Sequence, residues 1–402
     1  VSLLGILAFV VALVLSVMIH EWGHYITARR FGMKVTEFFF GFGPKLWSFR
    51  RGETEYGAKA IPAGGYVRIV GMSETEAVAP EDEARAFYHQ SGKRRVVVLV
   101  AGSFMHFVIA AVLLAIVYIG FGSYGPATTV ASVSACVPTT ATGTGCAKGA
   151  PASPAKVAGL QPGDTVTAVD GKPVGSWDEL TAVLRDSAGK TLTLTVQRDG
   201  KTLQVPVVMA TAPRPDLTDP SKTVQAGFLG VAPAFVVTRP GVLQGAHQAL
   251  NAYGQLVSGS VGAVVHFPAR VANLWSTLTG TTPRNPSGFV GVVGIASISG
   301  QIAAAAEPIG VRIASFLLII ASVNVFVGIF NLLPLLPLDG GHVAVVVYER
   351  VRSRLARARG RPDPGRVDVM KLMPLAYAVL LVFVSLTLLT LAADIFKPLQ
   401  LQ

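Results

Sequence analysis

The stretch VSLLGILAFVVALVLSVMIHEWGH, residues 1–24, runs without a charge from Val1 to Ile19 and then meets His20 and Glu21. As a helix its apolar part rises about 28 Å, close to the roughly 30 Å of bilayer hydrocarbon, so it reads as a membrane span with polar groups at one end. No basic residues precede it and no small-residue cleavage site separates it from His20, so it is expected to be retained rather than removed as a signal peptide. Comparable apolar runs at 96–121, 313–336 and 372–393 predict about four spanning helices.

Composition agrees. The chain has 402 residues, 51% hydrophobic and only 14% charged, which excludes an ordinary cytosolic domain and a disordered chain. Two cysteines exclude a disulfide-dense scaffold. Lys and Arg number 12 in residues 29–95 and 8 in 343–372, against 12 in the much longer 122–310. The positive-inside rule therefore puts the first two segments in the cytoplasm, and both chain ends and the central segment outside. The net charge of +11 is then mainly a topology signal, and with no basic face interleaved with aromatics, nucleic acid is not an expected partner.

The polar end of the first span carries the chemistry. His20 and His24 are four residues apart and share a helix face, with Glu21 beside them, the H-E-x-x-H pattern of a metalloprotease zinc site. Polar groups at the edge of a span are costly unless paired, metal-bound or wet. A plain helix end reaching the headgroups explains polarity but not this spacing. A catalytic zinc takes three protein ligands and keeps one position open. Asp339 is the candidate third ligand, in Asn331-Leu-Leu-Pro-Leu-Leu-Pro-Leu-Asp339-Gly-Gly-His342, where Pro334 and Pro337 disrupt the helix and Gly340 and Gly341 permit a turn. Spacing alone leaves Asp339 open as an interfacial helix stop. Asn331 is a candidate hydrogen-bond donor to the tetrahedral oxyanion or substrate backbone, or else an interhelical contact.

The outward segment turns soluble in character from about Thr129 to Met209, with alternating strand patterns and a helical stretch at 178–185. The run SPAKVAGLQPGDTVTAVDGKPV, 153–174, followed by SWDELTAVL and VQRDGK, resembles a PDZ domain over about 80 residues. A PDZ groove adds an extended segment to an open sheet edge, although the domain can also act only by excluding bulky substrates. Cys136 and Cys146 fall in this segment, where an oxidising compartment permits a bridge, the alternative being two unreactive thiols. Residues 211–310 carry amphipathic helices at 242–256 and 261–278, and a Gly/Ser-rich apolar stretch at 289–306 expected at the outer interface, with a fifth span as the alternative.

An H-E-x-x-H in the first span, Leu338-Asp339-Gly340 in a later one and an outward PDZ between them resemble the site-2 protease family of intramembrane zinc metalloproteases. The match covers nearly the whole chain. Four spans, one PDZ, Gly41-Phe-Gly-Pro-Lys-Leu-Trp47 and Gly64-Gly65-Tyr66 look most like the actinobacterial enzymes that cut anti-sigma factors in regulated intramembrane proteolysis. The resemblance implies one Zn2+ per chain on His20, His24 and Asp339, with Glu21 as general base. It also implies a multi-pass protein of the bacterial cell membrane that acts near the cytoplasmic leaflet. Expected partners are the lipid bilayer and pre-trimmed membrane-spanning substrates, and oligomeric state is left open.

A spanning substrate must unwind before its peptide bonds can be reached. Strand-like pieces at 56–61 and 66–70, separated by Pro62 and Gly64-Gly65, suggest a hairpin whose Gly64, Gly65 and Tyr66 hold substrate as an added strand, or else one with no membrane contact. One departure stands out. Where the family has Gly-Pro-x-x-Asn in the second span, this chain has Gly102-Ser103-Phe104-Met105-His106, so His106 either takes an Asn-like role or is a satisfied bundle residue.

The expected fold class is a polytopic α-helical membrane protein with an inserted extracytoplasmic PDZ (α+β) domain and a cytoplasmic-side, membrane-associated β-hairpin region. In order along the chain come the first span with HExxH at 1–30, the hairpin region at 31–95, the second span at 96–122 and the PDZ at 127–210. Interfacial helices at 211–310, the third span with LDG at 311–342, a basic cytoplasmic loop at 343–371 and the fourth span at 372–394 follow. The competing reading is a non-catalytic PDZ membrane scaffold or a metal-handling carrier, which leaves Glu21 without a purpose.

Overall fold

The computed structural model describes residues 2–72, 77–140, 146–216, 223–280 and 288–399. The chain divides into two units, one made of residues 1–121 with 239–402 and one of 122–238. In the first unit, helix α1 (Leu3–Arg30) carries the H-E-x-x-H in its last three turns and ends with Arg29 and Arg30, cations suited to a helix C-terminus.

Strands β1 (Val35–Arg51) and β2 (Thr54–Ile69) follow, joined by a turn in which Gly52 takes φ +65°. Each strand bends and is used twice. Phe39 pairs with Tyr66 on one side and Gly57 on the other, and Gly57 in turn faces Ser48. The sheet therefore has four lanes, in the order 65–69, 35–40, 54–61 and 45–51. This corrects the expected hairpin: the pieces at 56–61 and 66–70 are not neighbours, because lane 35–40 lies between them. Pro62 and Gly64-Gly65 mark a bend within β2 rather than a hairpin turn, since β1 supplies a partner to both halves. Glu53 and Arg85 are joined by two hydrogen bonds of 2.7 and 2.8 Å, and Lys34 and Asp82 by one of 2.5 Å, which fasten the strands to the following loop.

Helix α2 (Gly92–Ala115) continues as a wider turn to Phe121 and forms the second apolar span. The second unit then begins with β3 (Ser123–Val133) and the short helix α3 (Pro154–Val157). Next come β4 (Thr165–Val169), β5 (Lys172–Pro173), α4 (Trp177–Arg185), β6 (Thr191–Arg198) and β7 (Lys201–Val208). The strands β8 (Ala210–Pro215), β9 (Thr223–Phe228) and β10 (Val231–Thr238) close the unit. Its main sheet runs β10-β3-β4-β6-β7, with β5 on β4. Leu180, Val166, Leu194 and Val196 form its apolar centre. Ser176 accepts the Glu179 N–H and Glu179 accepts the Gly175 N–H, an S-x-x-E start signal for α4. Of the residues from 211 on that were expected among interfacial helices, 211–215, 223–228 and 231–238 instead lie in strands of this unit, and 217–222 fall outside the described residues. Pro213, Pro215 and Pro233 interrupt the alternation that would otherwise have announced them. Cys136 and Cys146 are joined as a disulfide with Cα atoms 5.7 Å apart; residues 141–145 of the loop they close lie outside the described residues.

Within this unit Asp164 is buried. Its carboxylate accepts Arg198 Nε at 2.6 Å and Nη2 at 2.7 Å, and the Gln161 N–H at 2.8 Å. The Arg198 guanidinium holds the Asp164 carboxyl below the usual carboxylate range. A depressed carboxyl pKa stabilises the fold fully above the unfolded value of about 4, and that stability is lost as pH falls through the lower folded value. Asp164→Asn is expected to destabilise this unit by about 1.5–3 kcal/mol, the range for hydrogen bonds to a charged acceptor, since the Arg198 left behind can turn to solvent. Hydrogen exchange on the full chain should show faster exchange over 122–238 near neutral pH, with the difference from wild type shrinking below about pH 4.

Back in the first unit, α5 (Val242–Val265) lies against α2 and the third span, with Gly245 set against the Tyr118 carbonyl, and α6 (Phe267–Leu278) follows after His266. The break falls at His266, later than the sequence suggested. Helix α7 (Val292–Ala304) has 13 residues, about 20 Å of rise, too short to cross. It is fixed instead by the Gly300 carbonyl accepting the Ser2 N–H at 2.8 Å and by the Gly294 N–H donating to buried Asp394 at 2.7 Å.

The third span, α8 (Ile309–Asn331), stops before Pro334 and Pro337, and Asp339 opens a new helix, α9 (Asp339–Ala358). The third span therefore does not extend to 342, and most of the expected basic loop at 343–371 is helical. Its Arg residues are strong helix formers once Gly340 and Gly341 have let the chain turn. The fourth span is α10 (Met373–Phe396). Among the described residues four helices are long and apolar enough to cross a bilayer, in keeping with a polytopic membrane protein that carries a β unit.

Candidate metal centre

Three donor atoms converge where α1 meets the start of α9. His20 Nε2 lies 3.1 Å from His24 Nε2, and Asp339 Oδ2 lies 3.4 and 3.5 Å from the two nitrogens. Both histidines are buried, 7% and 5% exposed. His24 Nδ1 lies 2.7 Å from the Val98 carbonyl, which can only accept. That bond puts the His24 proton on Nδ1 and leaves Nε2 a lone pair facing His20.

Two imidazole nitrogens and a carboxylate oxygen held together away from water, with Asp339 Oδ2 lacking any hydrogen-bond partner, form the donor set of a cation site. The spacings suit zinc. Ligands about 2.0–2.1 Å from a tetrahedral ion are separated by roughly 3.3 Å, close to the three edges observed. Two His and one carboxylate also form a familiar donor set that leaves a fourth position open.

Close backbone approach makes this possible. A Cβ on Gly102 would run into His24 Nε2 and come within 2.7 Å of His20 Nε2, so α2 can lie against the ligand atoms only with glycine there. At the other wall, side chains on Gly340 and Gly341 would strike the backbone of residues 332–336, so the glycine pair lets α9 fold back under the end of α8 and present Asp339 inward.

Glu21, on the same face of α1, stands beside lane 65–69: a Cβ on Gly65 would lie 3.6 Å from Glu21 Cγ and 2.7 Å from Met18 Sδ. Of the three residues expected to hold substrate, the structure brings only Gly65 to the centre. Tyr66 turns into the sheet, bonded to Glu37 and stacked on Phe39 and Phe42, and Gly64 lies against Phe42. Asn331 is the last residue of α8 and is half-buried. The buried asparagine is instead Asn324, two turns earlier, bonded to His106 Nδ1 at 2.8 Å and Ser16 Oγ at 3.1 Å. Sequence reading missed Asn324 and Ser16. Their signal was the cost of a polar side chain inside a span, with Ser16 one turn before His20.

The family model for peptidase family M50 matches residues 8–375. The chain is 37% identical over 404 residues to zinc metalloprotease Rip1 of Mycobacterium tuberculosis, covering 99% of this chain and 98% of that protein. Against zinc metalloprotease Rip1 of Mycolicibacterium smegmatis the identity is 36% over 409 residues, with 99% and 98% covered.

Proposed function

The chain belongs to peptidase family M50 and is an intramembrane zinc metalloendopeptidase, and from that premise we propose that it cuts single-span membrane proteins, such as anti-sigma factors, after their outer parts have been trimmed. The observation that carries the reading is the convergence of His20, His24 and Asp339 with Glu21 beside them at the end of an apolar span.

His20, His24 and Asp339 are the zinc ligands in this proposal. Bound there, zinc supplies a Lewis acid that polarises the scissile carbonyl and acidifies a water. Glu21 takes the water proton and passes it to the leaving amine. Asn331, at the end of α8, donates to the oxyanion or the substrate backbone. Lane 65–69 is an edge of its sheet, and Gly65 lies beside Glu21, which supports holding an unwound substrate there as an added strand. The basic bias of 29–95 and 343–372 supports a cytoplasmic face for the metal centre and an outward β unit. The Ala-Gly-Leu-x-x-Gly-Asp turn and the α4-bearing sheet support reading that unit as a PDZ domain that selects or limits substrates.

The test uses a tagged single-span anti-sigma-type reporter trimmed to its span and cytoplasmic tail. Membranes containing this chain should cleave it, stripping with a zinc chelator should lower the rate at least 100-fold, and added Zn2+ should restore it. Cleavage that survives chelation, with the protein verified metal-free, would sink the reading.

A further inference from the structure

A third imidazole stands at the metal centre, and the chemistry above leaves it without a task. His106, on α2 one turn beyond Gly102, is 2% exposed, and its ring centroid lies 5.0 Å from that of His20, close to the 4.7 Å between His20 and His24. The protonation of its ring follows from its neighbours. Asn324 Nδ2 donates to the Ile320 carbonyl at 2.8 Å, which can only accept, and to Ser16 Oγ, whose own proton goes to the Ala12 carbonyl at 2.9 Å. Asn324 Oδ1 is therefore the atom facing His106 Nδ1, and an acceptor there requires the imidazole proton on Nδ1. In the neutral ring Nε2 keeps its lone pair and has no hydrogen-bond partner among the described residues.

His106 is outside the set of three ligand atoms that lie within 4.8 Å of one another, and three protein ligands already suffice for a catalytic zinc. We infer that His106 Nε2 accepts a hydrogen bond from the attacking water, orienting it while Glu21 takes the water's other proton. No bond to His106 forms or breaks in this step. The inference rests on the peptidase reading above and gives the chain's departure from the family's Asn at this position a chemical purpose.

Two substitutions separate the ring nitrogens: His106→Asn keeps a polar group where Nδ1 meets Asn324 and lacks one at Nε2, whereas His106→Gln places an amide near Nε2. With purified full chain and the trimmed reporter, His106→Asn is expected to lower kcat roughly 10–100-fold with KM and zinc content unchanged, and His106→Gln to recover to within about threefold of wild type. Wild-type turnover in His106→Asn would overturn the inference by showing that only the Asn324 contact matters. So would equal slowing of both variants with zinc retained, or loss of zinc in either, which would make the imidazole a support or ligand of the metal. Glu21→Gln run in parallel keeps the failures apart: if it cleaves as fast as wild type, the assignment of the reaction to this centre is what has failed.

Discussion

Asp339→Ala is expected to empty the metal centre and abolish peptide-bond hydrolysis while the helices stay folded. In the proposed site the carboxylate is one of three donors among the described residues, so its removal should cost more than the 10–100-fold that loss of a supporting hydrogen bond costs. A loss of more than about 100-fold in zinc affinity corresponds to at least roughly 2.7 kcal/mol. The fold has little at stake. Asp339 sits at the first position of α9, where a negative charge favours the helix by only about 0.3–1 kcal/mol. The turn that brings α9 back under α8 depends on Gly340 and Gly341 rather than on the carboxylate. Zinc content of the purified variant, its helical circular dichroism and its rate on the trimmed reporter decide the matter together. An Asp339→Ala protein with full zinc and unaltered hydrolysis would remove the third ligand from the scheme. One with lost zinc and lost helicity would show that the metal also supports the fold.

What could be read from the sequence divides along physical lines. The helical period makes His20, Glu21 and His24 a local pattern, because residues four apart on one helix share a face whatever else the chain does. Asp339 was legible through its neighbours, since Pro334 and Pro337 forbid a continuous helix and the glycine pair permits a turn. Where that turn leads depends on backbone contacts between 332–336 and 340–341 that no local pattern encodes, so the helical start of α9 was missed and a loop expected. The β1–β2 sheet was misjudged for a related reason. Pro62 and Gly64-Gly65 carry a turn signature, but a strand bends there without reversing when another strand pairs with both of its halves. Long-range pairing decided, and it is invisible to composition. Gly102 and Asn324 belong to the same class: each has meaning only once α2 and α8 lie against α1, the one leaving space for imidazoles and the other fixing the proton of a third.

Glu21→Gln separates the role of the base from that of the metal. The substituted side chain has nearly the same volume, so it fits beside Gly65 and Met18, and it leaves His20, His24 and Asp339 untouched. An amide cannot take a proton from water, and general-base assistance contributes roughly 10²–10⁴-fold. Turnover of the trimmed reporter should fall by that factor, about 3–5 kcal/mol in activation free energy, with one zinc still bound and KM little changed. In cells the trimmed, membrane-bound reporter should accumulate with the variant and disappear with wild type. The competing view of the chain as a scaffold or metal carrier predicts the reverse, because holding a partner or an ion needs no proton acceptor at position 21. Unchanged processing in Glu21→Gln cells would favour that view, whereas loss of zinc together with activity would reassign Glu21 from the proton to the metal.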